Sequence, residues 1–213
     1  MKKFFDSFLN VSVPDPDDAR RRRVLNILLL GTLLATVVGF LAIMVGSAAS
    51  NELNLPETQL LLGGTLVTTF GILGIYQINK RWSGRWAALL FLLLLTLIFT
   101  FTDSPDQLSN GRSLFIFTLP IAISSLILIP EASFLFAFLG GGIVAGLALS
   151  IGQPVNLFAI IGFFMLALVS WLSARSLETA LKELLTINAN LDQEVIDRTH
   201  ALTESLDRER VEA

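Results

Sequence analysis

The residues that could do chemistry are few and poorly placed for it. His200 is the only histidine, and the chain contains no cysteine. Flanked by Arg198, Thr199, Ala201 and Leu202, His200 lacks the neighbours that would make it a metal ligand or an activated base. A thiol nucleophile and disulfides are excluded. No Ser–His–Asp set can be assembled, and no glycine-rich nucleotide motif follows a strand, so no catalytic residue, metal or cofactor is expected. What remains is neutral hydrogen-bonding chemistry. Thr65, Thr68, Thr69, Gln77, Thr96, Ser124, Ser125, Ser150 and Asn156 punctuate long apolar runs. Their ordinary use is bonding between helices or to a carbonyl of the preceding turn. Thr68, Ser124, Ser125 and Asn156 are the candidates for a small membrane pocket, the two serines lying beside a bend expected at Pro120. Such a pocket suits a small neutral or apolar ligand. Ions fit poorly, because no ionisable side chain lies near the middle of an apolar run, where transporters place their relays.

Those hydroxyls must be positioned by membrane helices. Hydrophobic residues make up 53% of the 213, and charged residues only 15%. That composition points to an integral membrane protein. Charge-poor runs over 24–50, 60–78, 86–101, 113–129, 132–150 and 155–174 predict six spans of an all-α bundle. Residues 1–23 form an arm in which Phe4, Phe5, Phe8 and Leu9 offer a membrane-surface stripe, with a partly ordered terminus as the alternative. Its pattern is not that of a cleaved signal peptide. Residues 24–174 make the transmembrane part and residues 175–213 a polar tail.

Six spans return both termini to one side. Arg20 to Arg23, Lys80, Arg81, Arg85 and Arg175 fall on that side, and Glu52, Glu57, Asp103 and Asp106 fall opposite, where Arg112 is the lone basic loop residue. The excess of positive charge in cytoplasmic loops places both termini in the cytoplasm. Trp82, Trp86 and Trp171, with Arg175, sit at the same helix ends and serve as interface anchors. The arginine block is thus read as topological, and no nucleic-acid partner is expected. Small residues at four-residue spacing, Ala35 with Gly39 and Gly142 with Gly146, mark close helix packing. Membrane lipids are the remaining partner.

The tail carries the strongest periodicity. Leu177, Leu181, Leu184, Asn188, Leu191, Val195, Arg198 and Leu202 alternate steps of four and three, the spacing of a coiled-coil seam. A parallel homodimer through the C-terminal helix is expected, with a lone amphipathic helix as the alternative. Asn188 at a core position costs stability but specifies register and strand number.

The segment from Asn188 to Leu202 resembles the signalling helix of bacterial sensor histidine kinases, with its pattern Asn-x-x-Leu-x-x-x-Val-x-x-Arg-Thr-x-x-Leu. Leu191, Val195 and Leu202 match that family's seam positions, and Arg198 with Thr199 its basic–hydroxyl pair. Diguanylate cyclases and other membrane receptors use similar helices. The resemblance implies a two-component sensor in the bacterial inner membrane, relaying a membrane-borne or extracellular cue into an ATP-dependent kinase or another effector beyond Ala213. On that reading the chain is the sensor part of a longer receptor. Two alternatives stay open: a membrane assembly or scaffold protein with the same dimer, and a carrier for a small neutral molecule.

Overall fold

The computed structural model describes residues 16–50, 55–101 and 103–212, with the helix but not the side chains described at 16, 17, 56, 57 and 60 and from 201 to 212. The aromatic stripe of the arm, Glu52 and the side chain of Leu202 lie outside the described residues. All described secondary structure is helical: α1 (Pro16–Ser50), α2 (Pro56–Arg81), α3 (Gly84–Thr100), α4 (Pro105–Ser109), a 3₁₀ segment (Arg112–Phe117), α5 (Thr118–Ile127), α6 (Ala132–Ser150) and α7 (Leu157–Glu212).

Local chemistry explains most of the boundaries. α2 begins with Pro56 just inside its first turn, where the missing N–H costs no hydrogen bond. It ends on Lys80 and Arg81, whose charges complement the partial negative end of the helix. Trp82 and Ser83 then reverse the chain into α3. At the end of α6, Gly152 adopts φ of 69°, a left-handed conformation that favours glycine. Its N–H reaches Leu149 O at 3.1 Å and the N–H of Gln153 reaches Ala148 O at 2.9 Å, closing a Schellman motif. α7 is capped at its start by Asn156, whose Oδ1 accepts the N–H of Ala159 at 3.0 Å.

Four apolar helices are long enough to cross a membrane, over Asp18–Ser50, Leu61–Arg81, Ala132–Ser150 and Leu157–His200. The third and fourth expected spans are shorter: α3 has 17 residues, and the apolar segment Arg112–Ile127 is divided between six residues of 3₁₀ helix and ten of α-helix. At 1.5 Å per residue α3 rises about 26 Å, less than the roughly 30 Å of hydrocarbon. Pro120, where a bend is expected, lies just after a change of helix type. The 3₁₀-to-α change at Thr118 puts it in the first turn of α5, where proline is tolerated.

The chain divides into two compact units, 1–171 and 172–213. In the first, α1 packs on α2, α2 on α3, and α3 on α5, which in turn packs on α6. Leu25, Leu29, Phe91, Leu92, Phe117 and Ile121 are fully buried at its centre. Phe163 of α7 meets Phe117 edge-on with centroids 6.5 Å apart. Ser133 Oγ ties α6 to α7 through Ala167 O at 3.0 Å. In the second unit the helix presents Leu184, Leu191 and Val195 to solvent.

Candidate functional site

The side-chain hydrogen bonds that link different helices of the first unit gather at its two ends. At the arginine-rich end, residues one turn apart on α1 reach three other helices. Arg22 Nε donates to Asp18 Oδ2 at 2.9 Å, and its Nη1 donates to the carbonyl of Asn79 at 2.6 Å. Arg21 Nη1 donates to the carbonyl of Leu128, the C-cap of α5. Carbonyls in the last turn of a helix lack intrahelical donors and carry partial negative charge, so guanidinium groups satisfy them twice over. One turn deeper, Asn79 Nδ2 donates to Asn26 Oδ1 at 2.8 Å, with both residues buried. Asn79 Oδ1 is buried without a hydrogen-bond partner among the described residues. Gly84 closes the junction. A Cβ there would lie 2.7 Å from Arg22 Cγ and 3.1 Å from Asp18 Oδ1, so any larger residue at this point must displace the Arg22 side chain.

The other end carries a second network. Asp103 Oδ2 accepts Ser113 Oγ at 2.5 Å, and its Oδ1 accepts the N–H of Ser104 at 2.7 Å. The Ser113 hydroxyl and then the Ser104 N–H hold the Asp103 pKa below its ordinary value, against an opposing desolvation and with a lesser contribution from the charge of Arg112. Gln153, in the turn before α7, donates to Asp106 Oδ1 at 2.6 Å and accepts Asn110 Nδ2 at 2.8 Å. The two loops of this end are thereby joined.

The hydroxyls singled out by sequence are engaged locally. Thr68 Oγ1 donates to Gly64 O at 2.7 Å, Ser124 Oγ to Ile121 O at 2.8 Å and Ser125 Oγ to Ala122 O at 3.1 Å. Asn156 is the cap of α7 and lies at the opposite end from the arginines. An apolar groove of about 460 Å³ opens between α3 and α6, lined by Leu89, Leu93, Phe136, Leu139, Gly142 and Ile143. Gly39, Gly142 and Gly146 have open space where a Cβ would stand, and Ala35 is exposed. Between α2 and α3 it is instead Gly71 that is close-packed, since an added Cβ would lie 2.9 Å from Leu94 Cδ2.

Trp82 and Trp86 are 83% and 65% exposed beside the α2–α3 reversal, while Trp171 packs on Phe134 with centroids 6.3 Å apart. Along the tail, Leu177, Leu184, Leu191 and Val195 are exposed, Leu181 is half-buried, and Asn188 and Arg175 are exposed. Arg198 Nη2 pairs with Glu194 Oε1 at 2.5 Å, an exposed pair one turn apart.

Asn26 and Asn79 escape a reading by hydropathy because neither is charged, Asn26 sits within a long apolar run and Asn79 at the edge of another. Their one signal is placement: each lies next to the cationic end of consecutive spans. Among the described residues no group of three His, Cys, Asp or Glu side chains could hold a metal ion. The arrangement hydrogen-bonds helix ends to one another; it assembles no nucleophile with a base. Together these features describe an all-α bundle of long apolar helices, consistent with a multi-pass membrane protein, whose packed helices could pass a movement from one end to the other. Comparison with protein-family models, curated proteins and solved structures finds no match to this chain.

Proposed function

We propose that the chain is the sensing and signal-transmission part of a dimeric membrane receptor, most closely of the sensor histidine kinase type. Six crossings, including the two shorter apolar segments, place both termini in the cytoplasm of a bacterial cell. Arg85 and Arg112 at the ends of the shorter segments reach the interface by extending their side chains. Residues 24–174 detect the cue and residues 175–213 relay it as a parallel coiled coil.

The observation that carries this reading is α7. It is one helix of 56 residues, and its polar half leaves Leu177, Leu184, Leu191 and Val195 between 43% and 63% exposed at seam spacing. Fully burying a Leu or Val side chain is worth about 1.5–3 kcal/mol, so a second copy aligned in parallel recovers what a solitary helix leaves in water. Asn188, exposed between Leu184 and Leu191, then fixes the register. The downstream effector is a kinase, with a cyclase as the variant that uses a similar helix. The hydroxyls bonded within their own helices weigh against a polar path for a carrier.

Single cysteines at Leu184, Leu191 and Val195 should crosslink between copies in native membranes faster than cysteines at Glu183 and Glu194. Equal rates at all five positions would reject the seam, and with it the relay. Crosslinking at the seam that stays the same in every signalling state of an effector fusion would instead fit a scaffold.

A further inference from the structure

We infer that the α2–α3 reversal, residues 80–86, is a binding site for the headgroups of anionic phospholipids. This rests on the bundle spanning a membrane and is independent of the receptor reading. Lys80 and Arg81 close α2, two residues turn the chain, and Arg85 stands in the first turn of α3. All three are exposed. α1 is tied to this tip through Arg22, which is bonded to the Asn79 carbonyl at 2.6 Å. Asp18, the carboxylate beside Gly84 at this tip, is already paired with Arg22 at 2.9 Å. Three like charges within one tight reversal raise each other's energy, and phosphate oxygens relieve it.

The surroundings select a lipid rather than a free anion. Trp82 and Trp86 are 83% and 65% exposed among these cations, and indoles favour the headgroup level of a bilayer. Away from the tip, Phe70 and Leu73 on α2 and Leu90, Leu93 and Leu97 on α3 continue as exposed apolar surface. A molecule with an anionic head and apolar tails meets both parts at once: its phosphate lies among Lys80, Arg81 and Arg85, and its acyl chains lie along the leucines. A soluble phosphate would leave the indoles and leucines uncovered. Each cation near an anionic headgroup contributes up to about fivefold in affinity.

The test uses the full chain with Trp171→Phe, so that Trp82 and Trp86 supply the fluorescence. It is reconstituted in vesicles of phosphatidylcholine and phosphatidylglycerol, with one or the other lipid carrying brominated acyl chains. Brominated phosphatidylglycerol should quench more strongly at equal mole fraction, giving a several-fold relative affinity over phosphatidylcholine. Lys80→Gln, Arg81→Gln and Arg85→Gln together should bring that ratio to about one, while Arg112→Gln at the other end should leave it unchanged. Equal quenching by the two lipids in the parent chain would overturn the proposal. So would loss of the preference on adding inorganic phosphate at constant ionic strength, which would identify a free-anion site. A preference that survives the triple substitution would also overturn it, placing selectivity elsewhere.

Discussion

Asn79 donates its side-chain amide to Asn26 Oδ1 across 2.8 Å, joining two buried residues that stand 53 positions apart. The pair ties α1 to α2 one turn inside the arginine contacts, where water is scarce and an amide without a partner is costly. Its two members are not equivalent. Asn79 Nδ2 has only a longer second acceptor, Arg22 O at 3.4 Å, and Asn79 Oδ1 has no partner among the described residues. Asn26→Leu should therefore destabilise the bundle by about 1–3 kcal/mol, by stranding a buried donor. Asn79→Leu leaves Asn26 Oδ1 without this donor but removes the buried, unpaired Asn79 oxygen, and should cost less. The double leucine variant should recover part of the loss. Denaturant unfolding in detergent micelles measures all three, and a larger loss for Asn79→Leu than for Asn26→Leu would contradict the asymmetry.

Gly84 makes a second prediction at the same junction. A methyl group there meets Arg22 Cγ at 2.7 Å and Nε at 3.0 Å, inside normal contact distance. Gly84→Ala should push Arg22 from its place and weaken its bonds to Asp18 and the Asn79 carbonyl. Glycine at a helix start gains little from its own flexibility, so the intrinsic helix preference favours alanine by up to about 1 kcal/mol. A net loss of stability would show that the contact with Arg22 outweighs propensity; a net gain would show that Arg22 moves aside freely. Gly142→Ala, where a Cβ meets open space, is the control and should not destabilise the isolated chain.

These two residues also show what a sequence displays and what it hides. Charge-free runs reveal the long helices because hydropathy is a local property, and Lys80, Arg81 and Arg85 mark a reversal by their position alone. Arg21 and Arg22 look like a topological block for the same reason. Their carbonyl partners, Leu128 and Asn79, lie 107 and 57 residues away and carry no side-chain signature, since the accepting group is backbone. The 3₁₀ geometry of Arg112–Phe117 is hidden too, because hydropathy does not encode whether an N–H bonds three or four residues back. Small-residue spacing is ambiguous in a related way. Gly142 and Gly146 share a helix face, but which face meets a neighbour depends on where α5 and α7 dock, and here Gly140 and Gly141 approach Phe117, Phe163 and Ile160.

At the other end, Asp103 gives a prediction in pH. The Ser113 hydroxyl, the Ser104 N–H and Arg112 lower its folded pKa, whereas an unfolded aspartate titrates at about 3.9. A depressed folded value means that stabilisation is fully present above the unfolded pKa and is lost as pH falls through the folded one. Ser113→Ala removes the largest cause and should move the Asp103 titration upward, toward the ordinary value. The carboxyl resonance of Asp103, followed by NMR in micelles, reads this directly. The stability difference between the parent and Ser113→Ala should be flat near neutral pH and shrink below about pH 4. A difference that stays unchanged below about pH 4 would show that the Ser113 bond does not favour the charged carboxylate.

The last prediction concerns the relay proposed for α7. That helix contains neither Gly nor Pro from Phe163 onward, so it offers no built-in hinge to absorb a rotation or tilt. A relay of this kind biases an effector only when two seam arrangements differ by little free energy. In the proposed seam Asn188 and Arg198 would supply such a balance, because each would place a polar group where a purely apolar seam would hold one packing firmly. One residue inserted after Ser173 rotates everything beyond it by about 100°. In a fusion to an intact kinase or cyclase domain, that insertion should lock or invert output. Seven inserted residues return the seam to nearly the same face and should restore most of the coupling. Effector activity across insertions of one to seven residues should thus oscillate with helical phase, with its extremes at least several-fold apart. Activity that declines smoothly with insertion length, or ignores it, would eliminate phase-dependent transmission and leave the tail as a dimeric tether.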